Sequence, residues 1–510
     1  MLLPTIGVAA AVAVPIVYLL WRVIQADTQQ VIGDLLRNRT FLQLANTVLL
    51  TLGVLGFVTC IALPMAWLTT QTDLRGRRII SLIGVLPLAV PGYIMAYSLL
   101  SLGGHGGPIH ALTGTTHVIP KGYLGALLAL GLYNLPYMYL SLRSAMLELD
   151  PSMEEAGRSL GHGRLSVFTR IMLPQLRPAL LSGALLVCLH VIGDFGVVSL
   201  MNFQTFSYAL YDMYDTGDRI GAAAPALMLI ALAAIILIAD AWFLRGLTLH
   251  RTTATARPPR SIIALGLWSL PAYLLLAAIA LVAVAAPIAT VSYWALQPPL
   301  TPIGPQVLPA LWHSLAGSLP AAAAATALAI PVALLARRYP STLSLVLERC
   351  AFAGYAVPAL AFALSLIVFS LHLAPLLYRS FVLLIAAYVI HFLAEAVGPI
   401  RSGLYLATPR LEEVSQGLGL SWPMTIVRVT LPLLRNSIAV AAALVFLSVM
   451  KELPLTMLLA PIPYNDTLAF NVWSHSENAG FAEAAPFALC ILVSSATFVG
   501  IILVSGRRTS

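Results

Sequence analysis

The sequence has very little charge for its length. Lys, Arg, Asp and Glu make up 9% of its 510 residues, whereas about a quarter of an average soluble protein is charged. Hydrophobic residues make up 59%, and apolar runs of about 20 residues, enough to cross a hydrocarbon layer of about 30 Å, recur along the chain. This composition excludes a soluble globular protein and predicts an all-α polytopic membrane protein.

Lysine and cysteine are scarce as well. A nucleotide-binding P-loop needs Gly-Lys-Ser/Thr, but the two lysines, Lys121 and Lys451, follow Pro120 and Met450, so the chain has no P-loop. The four cysteines are far apart and show no C-x-x-C spacing, which favours small buried side chains over a metal or redox site. We therefore expect the chain to bind no metal or cofactor itself. The cysteines are Cys60, Cys188, Cys350 and Cys490.

The apolar runs predict twelve membrane spans. They fall near residues 2–24, 44–68, 79–101, 122–142, 178–200, 222–244, 262–294, 308–336, 344–370, 375–399, 434–459 and 482–505. No positive charge precedes the first run, which indicates a retained span rather than a cleaved signal.

The basic residues are distributed unevenly along these spans. If two polar loops, residues 150–174 and 408–432, face the cytoplasm, the segments on that side hold 21 Lys and Arg and the outer segments hold six. This ratio follows the positive-inside rule and predicts that both termini are cytoplasmic. No basic face with interleaved aromatic residues is present, so the expected surroundings are the lipid bilayer and not a nucleic acid.

The chain contains an internal duplication. Asn46, Pro64 and Val90-Pro91 match His313, Pro331 and Val357-Pro358 at a constant offset of 267, and from Arg143 onward the offset is 258. Each half has six predicted spans, so the repeats enter the membrane in the same direction. We predict a first domain at 1–250, a cytoplasmic linker at 251–261 and a second domain at 262–510.

The two polar loops share one local pattern. Each has an N-cap residue and a proline that start a helix, Asp150-Pro151 and Thr408-Pro409, and acids in the first turn. Gly161 and Gly419 are placed to end these helices with a positive φ. A second short helix is expected before Leu173-Pro174 or Leu431-Pro432. Helices that only cap the bundle are the alternative, which a double occurrence of the same spacing disfavours.

The loop pattern resembles the Glu-Ala-Ala motif of ABC importer permeases. That motif is Glu-Ala-Ala, three residues, Gly, nine residues and Ile-x-Leu-Pro. The first copy has Glu155, Ala156, Gly157, Gly161, Leu173 and Pro174, and the second has Glu413, Gly419, Leu431 and Pro432. Both copies depart from the motif at the small residues, the second copy more so.

The resemblance covers nearly the whole chain and implies a fused, two-domain permease with the type I ABC importer fold. It implies that the loops are coupling helices seated on two copies of an ATP-binding subunit, which carries the ATP and Mg. An extracytoplasmic binding protein is expected to deliver the substrate. The chain is then a transport subunit of a bacterial inner membrane and not an enzyme.

Three ionisable residues within predicted spans are candidates for a substrate pathway. Asp194 and Glu452 are related by the 258-residue offset, and Lys451 precedes Glu452. Neighbouring Gly and Pro residues predict local unwinding beside a cavity. The alternative is that Lys451 and Glu452 neutralise each other or a neighbour and organise packing only.

The segments 193–200 and 451–456 look like those of ferric-iron permeases, so iron is the expected cargo. Related permeases carry thiamine, polyamines, phosphonates or sulfate. A secondary transporter driven by an ion gradient is a competing class, but it has no reason to keep Glu, Gly and Leu-Pro in two loops.

Overall fold

The structure is a computed structural model that describes residues 2–25, 33, 38–116, 120–149, 151–216, 222–244, 262–299, 304–339, 341–406 and 409–507. The predicted linker at 251–261 and the predicted N-cap residues Asp150 and Thr408 lie outside this part of the chain. Within it, the structure is helical, and an isolated parallel bridge joins Thr72 to Ile263.

The first half of the chain forms helices of very different lengths. They are Leu2–Gln25, Asn38–Gln71, Arg77–Ile83, Gly92–Leu102, Pro108–Thr113, Tyr123–Glu148, Pro151–Ser159, Arg164–Val167, Leu173–Gln175, Arg177–Gly193, Gly196–Leu200, Phe206–Asp215 and Ala223–Leu244, with a 3-10 turn at Leu86–Ala89 and a π-helical turn at Phe168–Met172.

The second half follows the same order. Its helices are Ser269–Ala280, Ala286–Ala295, Gly304–Arg338, Thr342–Ala356, Ala359–Leu373, Phe381–Leu406, Pro409–Gly417, Trp422–Thr425, Leu431–Leu433, Arg435–Met450, Pro454–Leu459, Leu468–Glu477 and Phe481–Arg507. It has 3-10 turns at Gly266–Trp268 and Pro375–Leu377 and π-helical turns at Leu281–Ala285 and Ile426–Thr430.

The number of membrane spans is close to the prediction. Among the described residues, seven helices have the length and hydropathy to cross a membrane, and four sharply bent pairs bring the number to as many as eleven. The predicted span near 122–142 is also a helix, Tyr123–Glu148, but it is not among these eleven. The chain is an all-α polytopic membrane protein, as its composition predicts.

Four predicted spans are not single straight helices, which corrects the sequence-based prediction. Spans 79–101 and 344–370 bend by 95° and 104°. The bends fall at Val90-Pro91 and Val357-Pro358, where both valines are extended. A residue before proline is disfavoured in the α region, so the repeated Val-Pro pair accounts for both bends.

The fifth span of each half, predicted at 178–200 and 434–459, is also interrupted. Helix Arg177–Gly193 ends directly before Asp194, and helix Arg435–Met450 ends directly before Lys451 and Glu452. A further short helix follows each interruption, Gly196–Leu200 and Pro454–Leu459. The predicted unwinding at these positions is confirmed.

The helices group into two compact units that do not follow the sequence halves. The first-half unit contains Phe41–Tyr208 and Ala231–Trp294, and the second-half unit contains Met1–Thr40, Ala209–Ile230 and Ala295–Ser510. Each unit thus includes the first predicted span of the opposite half of the sequence. The predicted domain boundaries at 250 and 262 describe the duplication of the sequence and stay a prediction. The units defined by contacts are different from these two domains.

Specific contacts hold these first spans in place. In the second-half unit, helix Leu2–Gln25 packs on helices Thr342–Ala356 and Ala359–Leu373. In the first-half unit, the Tyr273 hydroxyl donates to the Arg75 carbonyl at 3.1 Å, and the Trp294 indole donates to the Ser101 carbonyl at 3.3 Å. Side-chain donors bonded to backbone acceptors therefore fix the span 266–295 within the first-half unit.

Candidate functional site in the loops and interrupted spans

Each polar loop begins with a short helix of nine residues. The first loop helix is Pro151–Ser159 and the second loop helix is Pro409–Gly417. Proline suits the first helical position because its fixed φ matches the helix and its missing N–H has no intrahelical partner there. The predicted helices are confirmed, including their start at the prolines.

Gly161 and Gly419 end the two loop helices with the same geometry. Their φ angles are 85° and 90°. The Gly161 N–H bonds the Arg158 carbonyl and the next N–H bonds the Gly157 carbonyl, at 3.0 and 3.1 Å, and the second copy repeats both bonds at 2.9 and 3.1 Å. This pair of bonds is a Schellman motif, which needs a left-handed residue. The predicted positive φ of both glycines is confirmed.

The predicted second short helix is present in both loops. Helices Arg164–Val167 and Trp422–Thr425 each lead into a five-residue π-helical turn and then into the Leu-Pro pair. The π-helical turns, Phe168–Met172 and Ile426–Thr430, precede the Leu-Pro pair at equivalent positions. The proline that follows each turn has no N–H to donate to the carbonyl four residues before it. Leu173, Pro174 and Leu431 are half-buried and Pro432 is exposed.

The small residues of the motif occupy the place where the two helices of each loop cross. Gly157 is buried, and a Cβ added to it would lie 2.5 Å from Cδ1 of Ile171. Ser415 takes the equivalent position and donates to the Thr425 hydroxyl at 2.9 Å. Where the loops depart from Glu-Ala-Ala, Gly157 therefore makes a close packing contact in the first copy, and Ser415 makes a hydrogen bond in the second.

The remaining motif residues face outward. Glu155, Ala156 and Glu413 are exposed. Large apolar side chains are exposed beside them, with Leu160 and its equivalent Leu418 at 79% and 81%. Each loop therefore exposes a carboxylate within its first helix and a leucine directly after that helix, a combination suited to a protein partner.

The neighbouring acid, Glu412, is held within the protein instead. Arg338 donates to both of its carboxylate oxygens, from Nε at 3.1 Å and from Nη2 at 2.9 Å. The Thr430 hydroxyl donates to Oε1 of Glu412 at 3.0 Å. Sequence reasoning missed this pair because Arg338 lies at the end of a different helix, 74 positions away.

The membrane carboxylate Asp194 caps a short helix. Its Oδ1 accepts the Val197 N–H at 2.8 Å, and the Ser207 hydroxyl donates to its carbonyl at 2.7 Å. Gly92 lies so close that an added Cβ would come within 3.2 Å of the other carboxylate oxygen. Asp194 is half-buried and stabilises the chain where the fifth span of the first half is interrupted.

Glu452 has the equivalent role in the second half. Its Oε1 accepts the Leu455 N–H at 3.0 Å, and its carbonyl accepts from the Thr456 hydroxyl at 2.9 Å. Glu452 also lines a small cavity of about 10 Å³ together with His313, Tyr388 and Thr456. That volume is close to the room that one water needs. Asp194 and Glu452 thus share the hydrogen bond from the carboxylate to the N–H three residues later, whereas the donors to their carbonyls differ.

Lys451 follows directly on helix Arg435–Met450 and is half-buried. Near the same helix end, the Ser448 hydroxyl donates to a second carboxylate, that of Glu395, at 2.6 Å. The pathway role and the packing role of Lys451 both stay predictions.

Comparisons with known proteins agree with the two-fold repeat. The family model of the binding-protein-dependent transport system inner membrane component matches twice, over residues 59–249 and 325–510. The Fe(3+)-transport system permease protein FbpB 2 of Haemophilus influenzae is 30% identical over 497 residues, which span 94% of this chain and 93% of that protein. The molybdenum transport system permease protein ModB of Escherichia coli is 31% identical over 215 residues, 39% of this chain and 93% of that protein. The sulfate transport system permease protein CysT of Salmonella typhimurium is 31% identical over 137 residues, 27% of this chain and 50% of that protein.

The chain belongs to the family of inner-membrane components of binding-protein-dependent transport systems. It is a permease of the ABC importer class, with both copies of the family domain in one polypeptide. Members of this class are transport subunits and not enzymes.

Proposed function

We propose that this permease carries ferric iron, that two copies of a separate ATP-binding subunit drive it, and that an extracytoplasmic binding protein delivers the cargo. The iron assignment is supported by the relative named for Fe(3+) transport, whose alignment spans 94% of this chain. The molybdenum and sulfate relatives align over 39% and 27% of the chain. Thiamine, polyamines and phosphonates are the other cargos to be compared.

The coupling role rests on one observation, the matched geometry of the two loop helices. Both end in a Schellman motif and expose a carboxylate and a leucine at equivalent positions. Two equivalent docking helices suit a partner that binds as two copies. Because the chain has no P-loop, ATP hydrolysis belongs to that partner.

We infer the orientation from the same assignment. Docking of a cytoplasmic ATPase requires both loop helices to face the cytoplasm, and the distribution of basic residues supports cytoplasmic termini. Asp194, Lys451 and Glu452 belong to the substrate pathway in this proposal, since Glu452 lines a cavity at an interrupted span.

Reconstitution with the partner proteins tests the proposal. The permease and the ATP-binding subunit are placed in proteoliposomes, and uptake is measured with binding protein loaded with radioactive ferric iron, molybdate or sulfate. We expect ATP-dependent uptake of iron above that of the two anions. Uptake that needs no ATP and follows an imposed ion gradient would instead identify a secondary transporter.

The loop helices have their own variants in this assay. Glu155→Gln combined with Glu413→Gln should lower the stimulation of ATP hydrolysis by the loaded binding protein, because both exposed carboxylates are lost. Ser159→Ala combined with Gln416→Ala removes exposed polar groups from the same two helices and serves as the matched control. Fully coupled activity in the glutamine double variant would contradict the assigned role.

A further inference from the structure

The ion pair between Arg338 and Glu412 fixes the second loop helix to a membrane helix. Arg338 ends helix Gly304–Arg338, and Glu412 lies in the first turn of the second loop helix. Their side chains are 11% and 18% exposed, whereas those of the exposed pair Arg39 and Asp212 are 56% and 43% exposed. A bidentate, largely buried pair also fixes orientation, which a surface pair does not.

The second loop adds further bonds to the same carboxylate and helix. Thr430, in the π-helical turn, donates to Oε1 of Glu412. The single Ser415 hydroxyl lies within hydrogen-bond distance of both the Glu412 carbonyl and the Thr425 hydroxyl. Both helices of the second loop are therefore connected to Arg338 through Glu412. They are held as one body at the end of helix Gly304–Arg338.

The first half has different residues at the equivalent positions. By the offsets of the duplication, Gln71 stands where the second half has Arg338, and Met172 stands where it has Thr430. Gln71 donates to the Met146 carbonyl at 3.3 Å, and Met172 has no hydroxyl to donate. The cation and the hydroxyl that hold Glu412 thus have no counterpart at these two positions of the first half.

Helix Gly304–Arg338 connects this ion pair with the membrane interior. Ser314 and Gly317 on the same helix line the cavity that contains Glu452. Ser314 lies 24 residues before Arg338, which corresponds to about 36 Å along an α-helix. The ion pair and the Glu452 cavity are therefore joined by one helix, which contains Pro320 and Pro331 between them.

We propose that Arg338 and Glu412 are a positioning pair that transmits movement of the second loop helix to the Glu452 cavity. The position of the first half that is equivalent to Arg338 holds Gln71, which carries no charge, so an ion pair of this kind is not available there. This inference rests on the proposed function, because an ATP-binding subunit has to move the second loop helix.

Labelling of a cavity residue tests the proposal without knowledge of the cargo. Val449 lines the cavity, so Val449→Cys is introduced after the four native cysteines have been replaced by alanine. The full complex with the ATP-binding subunit is reconstituted, and labelling of this thiol by a maleimide is followed with and without ATP and vanadate. Nucleotide should change the labelling rate in the parent complex.

Glu412→Gln and Arg338→Gln should each reduce this nucleotide-dependent change by about fivefold or more, the lower end of typical coupling between sites. Binding of the ATP-binding subunit and basal ATP hydrolysis should persist. The charge exchange Arg338→Glu with Glu412→Arg should recover most of the response, which a loss of folding would not allow.

The matched control is Arg401→Gln, which removes an ion pair of 3.0 Å with Glu348 in the same unit and leaves the second loop helix untouched. The control should keep the nucleotide-dependent labelling. If the parent complex responds to nucleotide and the Glu412→Gln complex assembles and shows the same labelling response, the positioning role is overturned. A parent complex that binds no ATP-binding subunit would instead contradict the proposed function.

Discussion

Replacement of Gly161 or Gly419 by alanine isolates the backbone geometry that ends each loop helix. A Cβ added to either glycine meets nothing within 4 Å, so the substitution creates no clash. Both residues nevertheless have a φ near 90°, and a residue with a Cβ pays about 1–2 kcal/mol in the left-handed region. The cost is therefore conformational alone.

This strain should appear as weaker docking of the ATP-binding subunit. If the subunit binds only the formed loop helix, a strain of about 1–2 kcal/mol lowers the affinity about 5- to 30-fold, because about 1.4 kcal/mol corresponds to a factor of ten. Gly161→Ala should weaken one of two sites and Gly419→Ala the other, so each single variant should give a biphasic titration. The double variant should weaken both sites.

The loops provide their own controls. Gly163 and Gly417 also have open space around an added Cβ, but they are not among the glycines with a positive φ. Gly163→Ala and Gly417→Ala should therefore bind the subunit as the parent does, and asparagine at 161 or 419 should be less harmful than alanine. Equal affinities of Gly161→Ala, Gly419→Ala and the controls, measured in detergent by biolayer interferometry, would refute the reasoning.

Two further predictions concern the packing around the site. Asp194→Ala should lower the free energy of unfolding by about 1 kcal/mol because the cap on the Val197 N–H is lost, and a thermal midpoint equal to that of the parent would exclude the capping role. Asp194→Asn keeps an acceptor and should impair uptake with little change in stability. Gly157→Val should weaken docking of the ATP-binding subunit through overpacking of about 1–3 kcal/mol at the crossing of the two loop helices, and Gly163→Val, in open space, is the control whose equal effect would exclude this explanation.

The sequence predicts the local geometry of the site well. Proline, the acids of the first turn and the glycine define each loop helix through interactions within about ten residues. The structure has these helices at Pro151–Ser159 and Pro409–Gly417, and each is followed by its glycine with a positive φ. The interruptions near Asp194 and Glu452 follow in the same way from adjacent glycine and proline. Short-range steric and hydrogen-bonding preferences are enough for these features.

Long-range contacts could not be predicted from one sequence. Arg338 and Glu412 are 74 positions apart, and nothing in the local pattern distinguishes Glu412 from its exposed neighbour Glu413. The packing of helix Leu2–Gln25 in the second-half unit also depends on tertiary contacts that leave no periodic signal. The bends at Val90-Pro91 and Val357-Pro358 were available from the rule for residues before proline, but the continuous hydropathy across them predicts single spans.

The central claim is that both loop helices are the surfaces that an ATP-binding subunit contacts, and hydrogen exchange of the purified permease with and without that subunit tests it most directly. Bound subunit should slow the exchange of amides in Pro151–Ser159 and Pro409–Gly417. Helix Pro108–Thr113 lies between the third and fourth predicted spans, which puts it on the opposite side of the membrane in this proposal, and it should exchange as before. Unchanged exchange in both loop helices of a complex that has formed, or equal protection of Pro108–Thr113, would contradict the account.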